Sequence, residues 1–181
     1  FQNMAADFTA LQRIDAMREL IGAGLRDPEM RRVSLAVAAG DTWTINEFTA
    51  RHGYHPAETG MLRDCAARDE TCELSNVFWF AQQNARYTGD IAGVDTYVLG
   101  RATLFEFRAG DCDDAMISIG TMLGHSGYGV IARCIAAPGN VNERGEPVIG
   151  HIYPLALVPK FAERAGLALD APLAVGAAPE I

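Results

Sequence analysis

Basic residues are scarce in this sequence. The 181-residue chain carries 15 Lys and Arg against 23 Asp and Glu, for a formal net charge of −8. That deficit, with no basic stripe anywhere, excludes a general surface for nucleic acid or anionic membrane. No apolar run reaches the length of a membrane span, and no signal-peptide pattern is visible. The chain opens on Phe1 rather than Met, so trimming of the original N-terminus is expected. There is no internal repeat, no low-complexity segment and no clean linker. Cysteine is also sparse: four residues do not make a disulfide framework in a chain of this size. Against these lacks stand a hydrophobic fraction of 49% and a charged fraction of 21%, which suit a soluble domain with a sizeable core rather than a disordered chain.

Apolar spacing divides the chain into a helical half and a half rich in loops and strands. Phe8, Leu11, Ile14, Met17, Leu20 and Ile21 form one helical stripe, with Gly22 and Gly24 as its expected end. Asp27-Pro28 reads as a cap followed by proline at the first helical position, and the helix should run to Gly40. Ile45 to Arg51 reads as a shorter helix closed by Gly53, Pro56 to Ala67 as another, and Leu74 to Tyr87 as a third with a broad apolar face. Within the last, Trp79 and Phe80 are expected to anchor the core. From Gly89 to Gly110 the chain reads as loop-rich. The runs Tyr128–Ala137 and Val148–Val158, bracketing turn residues around Pro138-Gly139-Asn140 and Gly145-Glu146-Pro147, read as an antiparallel pair. Leu167–Asp170 reads as a short third strand. The whole, residues 1–181, is taken as one domain, with 1–86 as a helical lobe and 87–181 as the core carrying the chemistry.

The segment Gly110-Asp111-Cys112-Asp113-Asp114 is the most informative one. Gly110 and Asp111 read as a turn and a helix cap, and Cys112 falls in the first helical turn, ahead of Ala115, Met116, Ile119, Met122 and Leu123 at helical spacing. Gly124 and Gly127 mark the expected stop. A thiol there lies beside unpaired backbone N–H groups and the positive end of the helix dipole, both of which favour the nucleophilic thiolate. Asp111, Asp113 and Asp114 oppose that ionisation by their charge. They are read as residues that cap and orient the turn, with Arg108 or Arg133 as candidate neutralising partners. A calcium-type site needs more oxygen ligands than this cluster holds, and no metal or other cofactor is assigned.

The other cysteines call for different readings. Cys134 reads as a buried strand thiol. For Cys65 and Cys72, with six residues between them, three readings compete: two free thiols, the favoured one, a local disulfide, or half of a metal site with His52 and His55. The metal reading matches no recognised zinc-ligand spacing.

The ordered set running from Asn84-Ala85-Arg86-Tyr87 to Gly176 resembles the transglutaminase-like cysteine peptidase superfamily, of the kind often encoded in tailed phages and prophages. It comprises Asp90, Asp95-Thr96-Tyr97, the Gly-Asp-Cys-Asp-Asp core, His151-Ile152-Tyr153-Pro154, Val158-Pro159-Lys160 and Leu169-Asp170. The resemblance implies an α+β, papain-like core in which a Cys-bearing helix packs on a small antiparallel sheet, preceded by a helical lobe. It also implies Cys112, His151 and Asp170 as nucleophile, base and orienting carboxylate.

Such a triad performs acyl transfer from an amide or ester: the thiol attacks, the imidazole handles the proton, and the carboxylate holds the far ring nitrogen. The backbone N–H of Cys112 is the natural first oxyanion donor, with Gln82, Gln83, Asn84 and Tyr87 as side-chain candidates. Tyr153 shares a strand face with His151 and is either a cleft or a core residue. The leading expectation is a hydrolase of peptide, protein or peptidoglycan-type acyl substrates, acting in the host cytoplasm or in a virion beside phage proteins. A transglutaminase, with an amine as acceptor, would use the same residues. A catalytically idle virion or assembly component would keep the fold as a binding platform.

Overall fold

The computed structural model describes residues 2–5, 9–90, 94–141, 145 and 147–158. The architecture is α+β: five helices and three separate two-stranded ladders among the described residues. Helix α1 spans Ala10–Leu25, α2 Pro28–Ala39, α3 Thr42–His52, α4 Glu70–Asn84 and α5 Cys112–His125. The strands are β1 (Gln2–Ala5), β2 (Arg86–Tyr87), β3 (Val94–Tyr97), β4 (Ala109–Gly110), β5 (Gly129–Val141) and β6 (Pro147–Leu157).

Local signals place most helix ends. Thr9 and Gln12 form a reciprocal capping box at the head of α1. The Asp27 carboxylate accepts from the N–H groups of Glu29 and Met30 ahead of Pro28, and Gly40 ends α2 in the left-handed region at φ 81°. Asp41 accepts from Thr44 N–H, which starts α3 earlier than its apolar spacing indicates. Asp69 does the same for α4 through Cys72 N–H.

Helix α5 is the hub. One buried cluster joins α2, α3 and α4 to Ile119, Met122 and Leu123. A second joins Ile14, Met17, Leu20 and Ile21 of α1, with Tyr97, Ala132 and Ile152, to Met116 and Ile117. A helix buried on nearly every side must be apolar on nearly every side, and Met116 to Leu123 are all buried. The glycines expected to stop α1 lie inside it. A β-carbon at Gly24 would come within 2.7 Å of Thr121, and one at Gly120 within 2.9 Å of Ile21. Gly24 and Gly120 allow close approach of α1 and α5 rather than terminating a helix.

Several expectations are corrected. Pro56–Ala67 is not a helix. Two buried asparagines of α4 take up its backbone groups instead. Asn76 accepts from Arg63 N–H at 2.9 Å and donates to Arg63 C=O at 2.8 Å and to Ala38 C=O at 3.1 Å. Asn84 accepts from Glu58 N–H at 2.8 Å and donates to Glu58 C=O at 3.0 Å. Partners supplied from another helix remove the need for a helical ladder. Cys65 and Cys72, favoured as free thiols, form a disulfide that ties the same segment to the first turn of α4. The metal half-site falls with it, and His52 meets Glu29 at 2.5 Å instead. Phe80 is buried as expected, but Trp79 is 42% exposed on the outer face of α4. That helix ends at Asn84, so Tyr87 is not helical.

The stretch read as loop-rich holds β3, a π-helical turn over Ala102–Phe107, and β4. β1 pairs antiparallel with β3, and β2 pairs parallel with β4. The expected antiparallel pair is present as β5–β6, with Cys134 opposite Ile152 and Ile135 opposite His151. It runs through Pro138-Gly139-Asn140, where a connecting loop was expected, with register shifts that absorb the irregular residues. The expected third strand at Leu167–Asp170 lies outside the described residues. Among the described residues no helix is long and apolar enough to cross a membrane.

Candidate functional site

Cys112 is the first residue of α5, as its position after a cap residue predicts. The Asp111 carboxylate accepts from Asp113 N–H at 3.0 Å, and Asp111 C=O receives Ala115 N–H at 3.0 Å. The N–H of Cys112 itself has no acceptor within the helix ladder. β6 passes the thiol on its other side, with Ile152 N–H directed at the sulfur.

A cavity of about 170 Å³ opens between α1, the head of α5 and β6, and both Cys112 and His151 line it. His151 itself is exposed. The reason is strand alternation: Ile152 turns into the core at 1% exposure, so its neighbour turns away from it. The recorded ring contact of His151 is with Tyr153, at 6.0 Å between centroids, and the Cys112 thiol bonds to Asp113 Oδ1 at 3.5 Å. The structure therefore brings Cys112 and His151 to the walls of one cavity without joining them directly. Asp170 lies outside the described residues.

Electrostatics oppose the thiolate. Burial first, and then the Asp113 carboxylate, push the Cys112 thiol up to about 12, against the pull of Ile152 N–H. Burial, reinforced by Asp111, raises Asp113 to about 6, and burial raises Asp114 to about 7 even though Val98 N–H bonds its Oδ1 at 2.9 Å. Burial also raises Asp111. The expected neutralising partners are elsewhere: Arg108 donates to Asn84 at 3.4 Å, and Arg133 lies over the Tyr153 ring at 5.8 Å. The cation that does reach the site is Arg13 of α1, which lines the cavity and favours the ionised form of Asp113. Nothing in the local sequence around Arg13 distinguishes it from other helix-surface arginines. Met17 and Tyr97, also on the cavity wall, were likewise not singled out as site residues.

Of the cleft candidates, Tyr87 stands beside Asp111 and Cys112, 69% exposed. Gln83 is exposed and does not line the Cys112 cavity. Asn84 is occupied by Glu58 and by Phe80 C=O. Tyr153 is half-buried next to His151 on the side of β6 away from Ile152. Cys134 is half-buried and packs against the second cluster, its thiol raised chiefly by burial.

Asp111, Cys112 and Asp113 could each offer a ligand atom, all within 4.8 Å of one another. Three consecutive residues at one helix end supply only one side of a coordination sphere and mix soft sulfur with hard oxygen. We assign them no metal. Comparison with protein-family models, with curated proteins and with solved structures finds no match to this chain.

Proposed function

We propose that this chain is a thiol-dependent acyl-transfer enzyme of the transglutaminase-like cysteine peptidase kind, with Cys112 as nucleophile. The observation that carries the reading is the opening of Cys112, the first residue of α5, and of His151 onto one cavity. In the reaction, the thiol proton passes to the imidazole as sulfur bonds to the carbonyl carbon. The resulting oxyanion faces Cys112 N–H. The imidazolium then gives its proton to the departing amine as the C–N bond breaks, leaving a thioester. Water attacks the thioester and releases the acid and the thiol; an amine in place of water gives a transglutaminase. Asp170 is the proposed orienting carboxylate within a papain-like core. Its part, and the assignment of peptide, protein or peptidoglycan-type substrates in a phage or prophage setting, rest on the resemblance of the motif set.

A second reading has its own support. The thiol bonds to Asp113, is held up to about 12, and meets no histidine directly, His151 being an exposed residue of the same cavity. These features suit a platform that keeps the fold without catalysis. Iodoacetamide labelling at pH 8 separates the two, because only Cys112 and Cys134 are free. An enzyme requires Cys112 to react about tenfold or more faster than Cys134, and His151→Ala to slow it. Cys112 reacting no faster than Cys134, with His151→Ala neutral, establishes the platform.

A further inference from the structure

A second, larger cavity lies on the other side of Tyr87 and Asp111. Its volume is about 420 Å³, within the range of small-ligand sites. α4, the π-helical turn and α5 enclose it, with Ala81, Ala85, Leu104, Ala115 and Ile119 as its apolar lining. Tyr87 and Asp111 also line the Cys112 cavity, so the two cavities share one wall.

The chemistry of the lining limits what can enter. Its two buried hydroxyl residues are Thr103 and Ser118. Ser118 Oγ donates to Asp114 C=O at 2.6 Å, and Thr103 Oγ1 faces Leu99 C=O at 3.4 Å. Both hydroxyls serve backbone carbonyls of their own turn, so the buried wall presents carbon and no unmet hydroxyl, while the other polar lining residues, Gln82 and Arg86, are solvent-exposed. A charged or strongly polar group entering would lose its water without replacement. Asp111 and Arg86, both in the lining, carry opposite charges, so discrimination against a charged side chain rests on the apolar buried wall.

We propose that this cavity is the specificity pocket of the Cys112 site, and that it receives an uncharged, branched aliphatic or aromatic side chain of the acyl substrate. The proposal rests on Cys112 being the nucleophile. The side chain would pass beside Tyr87 while the carbonyl lies over the sulfur. The alanines keep the pocket wide: Ala115 on α5 and Ala85 after α4 stand where larger residues would fill it.

Two measurements on the full chain test this. The first is methyl NMR at Leu104 and Ile119 during titration with N-acetyl-L-leucinamide, and separately with the matching aspartate amide. Saturable shifts with the leucine compound alone are expected, and their loss in Ala115→Trp. The second is the ratio of Cys112 alkylation rates for N-isobutyl iodoacetamide and iodoacetamide. In each, sulfur displaces iodide and the thiol proton goes to solvent. A ratio of about ten is expected, the discrimination typical of a few methylene groups in an apolar pocket, and a ratio near one in Ala115→Trp. Ala85→Phe obstructs the same space from another element and serves if Ala115→Trp does not fold. No shifts at Leu104 and Ile119, equal shifts with both amides, or a ratio near one in the unaltered protein overturns the pocket while leaving the nucleophile intact. Failure of both reagents to alkylate Cys112 overturns the nucleophile and the pocket with it.

Discussion

Two sets of buried polar groups in this protein have opposite energetic character. In the helical lobe, Asn76 and Asn84 are each 1% exposed, and each bonds several backbone groups across elements. At the head of α5, Asp113 and Asp114 are nearly as deeply buried, yet burial holds both carboxyls well above their ordinary range. A neutral amide carries two donors and an acceptor that can be matched one for one by backbone. Adjacent carboxylates carry only acceptors and a shared charge that neighbouring N–H groups offset in part. The lobe uses its buried polar groups to hold a chain segment in place. The α5 head keeps its own at a cost, the pattern expected where function rather than stability selects the residues.

Removing a polar group should therefore have opposite signs in the two regions. The largest effect is expected for Asn76→Ala, which orphans the backbone groups of Arg63 and Ala38. A loss of about 3 kcal/mol is expected. In a thermal melt this lowers Tm by roughly 6–12 °C. A near-neutral result would erase the contrast.

Asp114→Asn should act in the other direction. Its carboxyl is raised to about 7 from the ordinary value near 4, so the folded state binds the proton more tightly. Its contribution to stability is complete below about pH 4 and is lost as pH rises through about 7. The unaltered protein should gain Tm as pH falls from 8 to 5.5. Asp114→Asn, which keeps an acceptor for Val98 N–H, should be more stable at pH 8 by about 1–2 kcal/mol and should flatten that dependence. Melts of both proteins at pH 8 and 5.5 check this, and a destabilised, equally pH-sensitive variant would refute the strain at the α5 head.

The smallest effect sharpens the comparison with the surface. Glu47 bonds Arg32 and meets Arg51 at 2.7 Å, and the Arg32 bond is the main cause of its lowered carboxyl. It is solvated, so Glu47→Gln should change Tm by no more than about 2 °C, less still in high salt. A larger drop would show that the lobe depends on its surface charges as well as on its buried amides.

What the chain states locally and what it leaves open follow from the reach of each interaction. Asp27, Gly40, Gly53 and Asp111 were legible as helix boundaries because a cap and the N–H or C=O groups it serves lie within four residues of each other. For the same reason Cys112 could be set at the start of α5, and alternation with turn residues was enough for the β5–β6 pair. The 54–69 segment was not legible. Its partners Asn76 and Asn84 sit on α4, and its disulfide joins Cys65 to Cys72 in the first turn of that helix. Gly24 looks like a stop until α5 is packed against α1.

The same division runs through the site. The sequence by itself determined that a thiol and three carboxylates, one of them the cap, would crowd one helix end, because those residues are consecutive. Only the tertiary structure decided that Arg13, Met17 and Tyr97 would close the cavity around the thiol, that His151 would stand at its rim, and that an apolar pocket would share its wall. It also decided the ionisation of Cys112, Asp113 and Asp114, because desolvation, the largest cause in each case, depends on which distant elements cover the group.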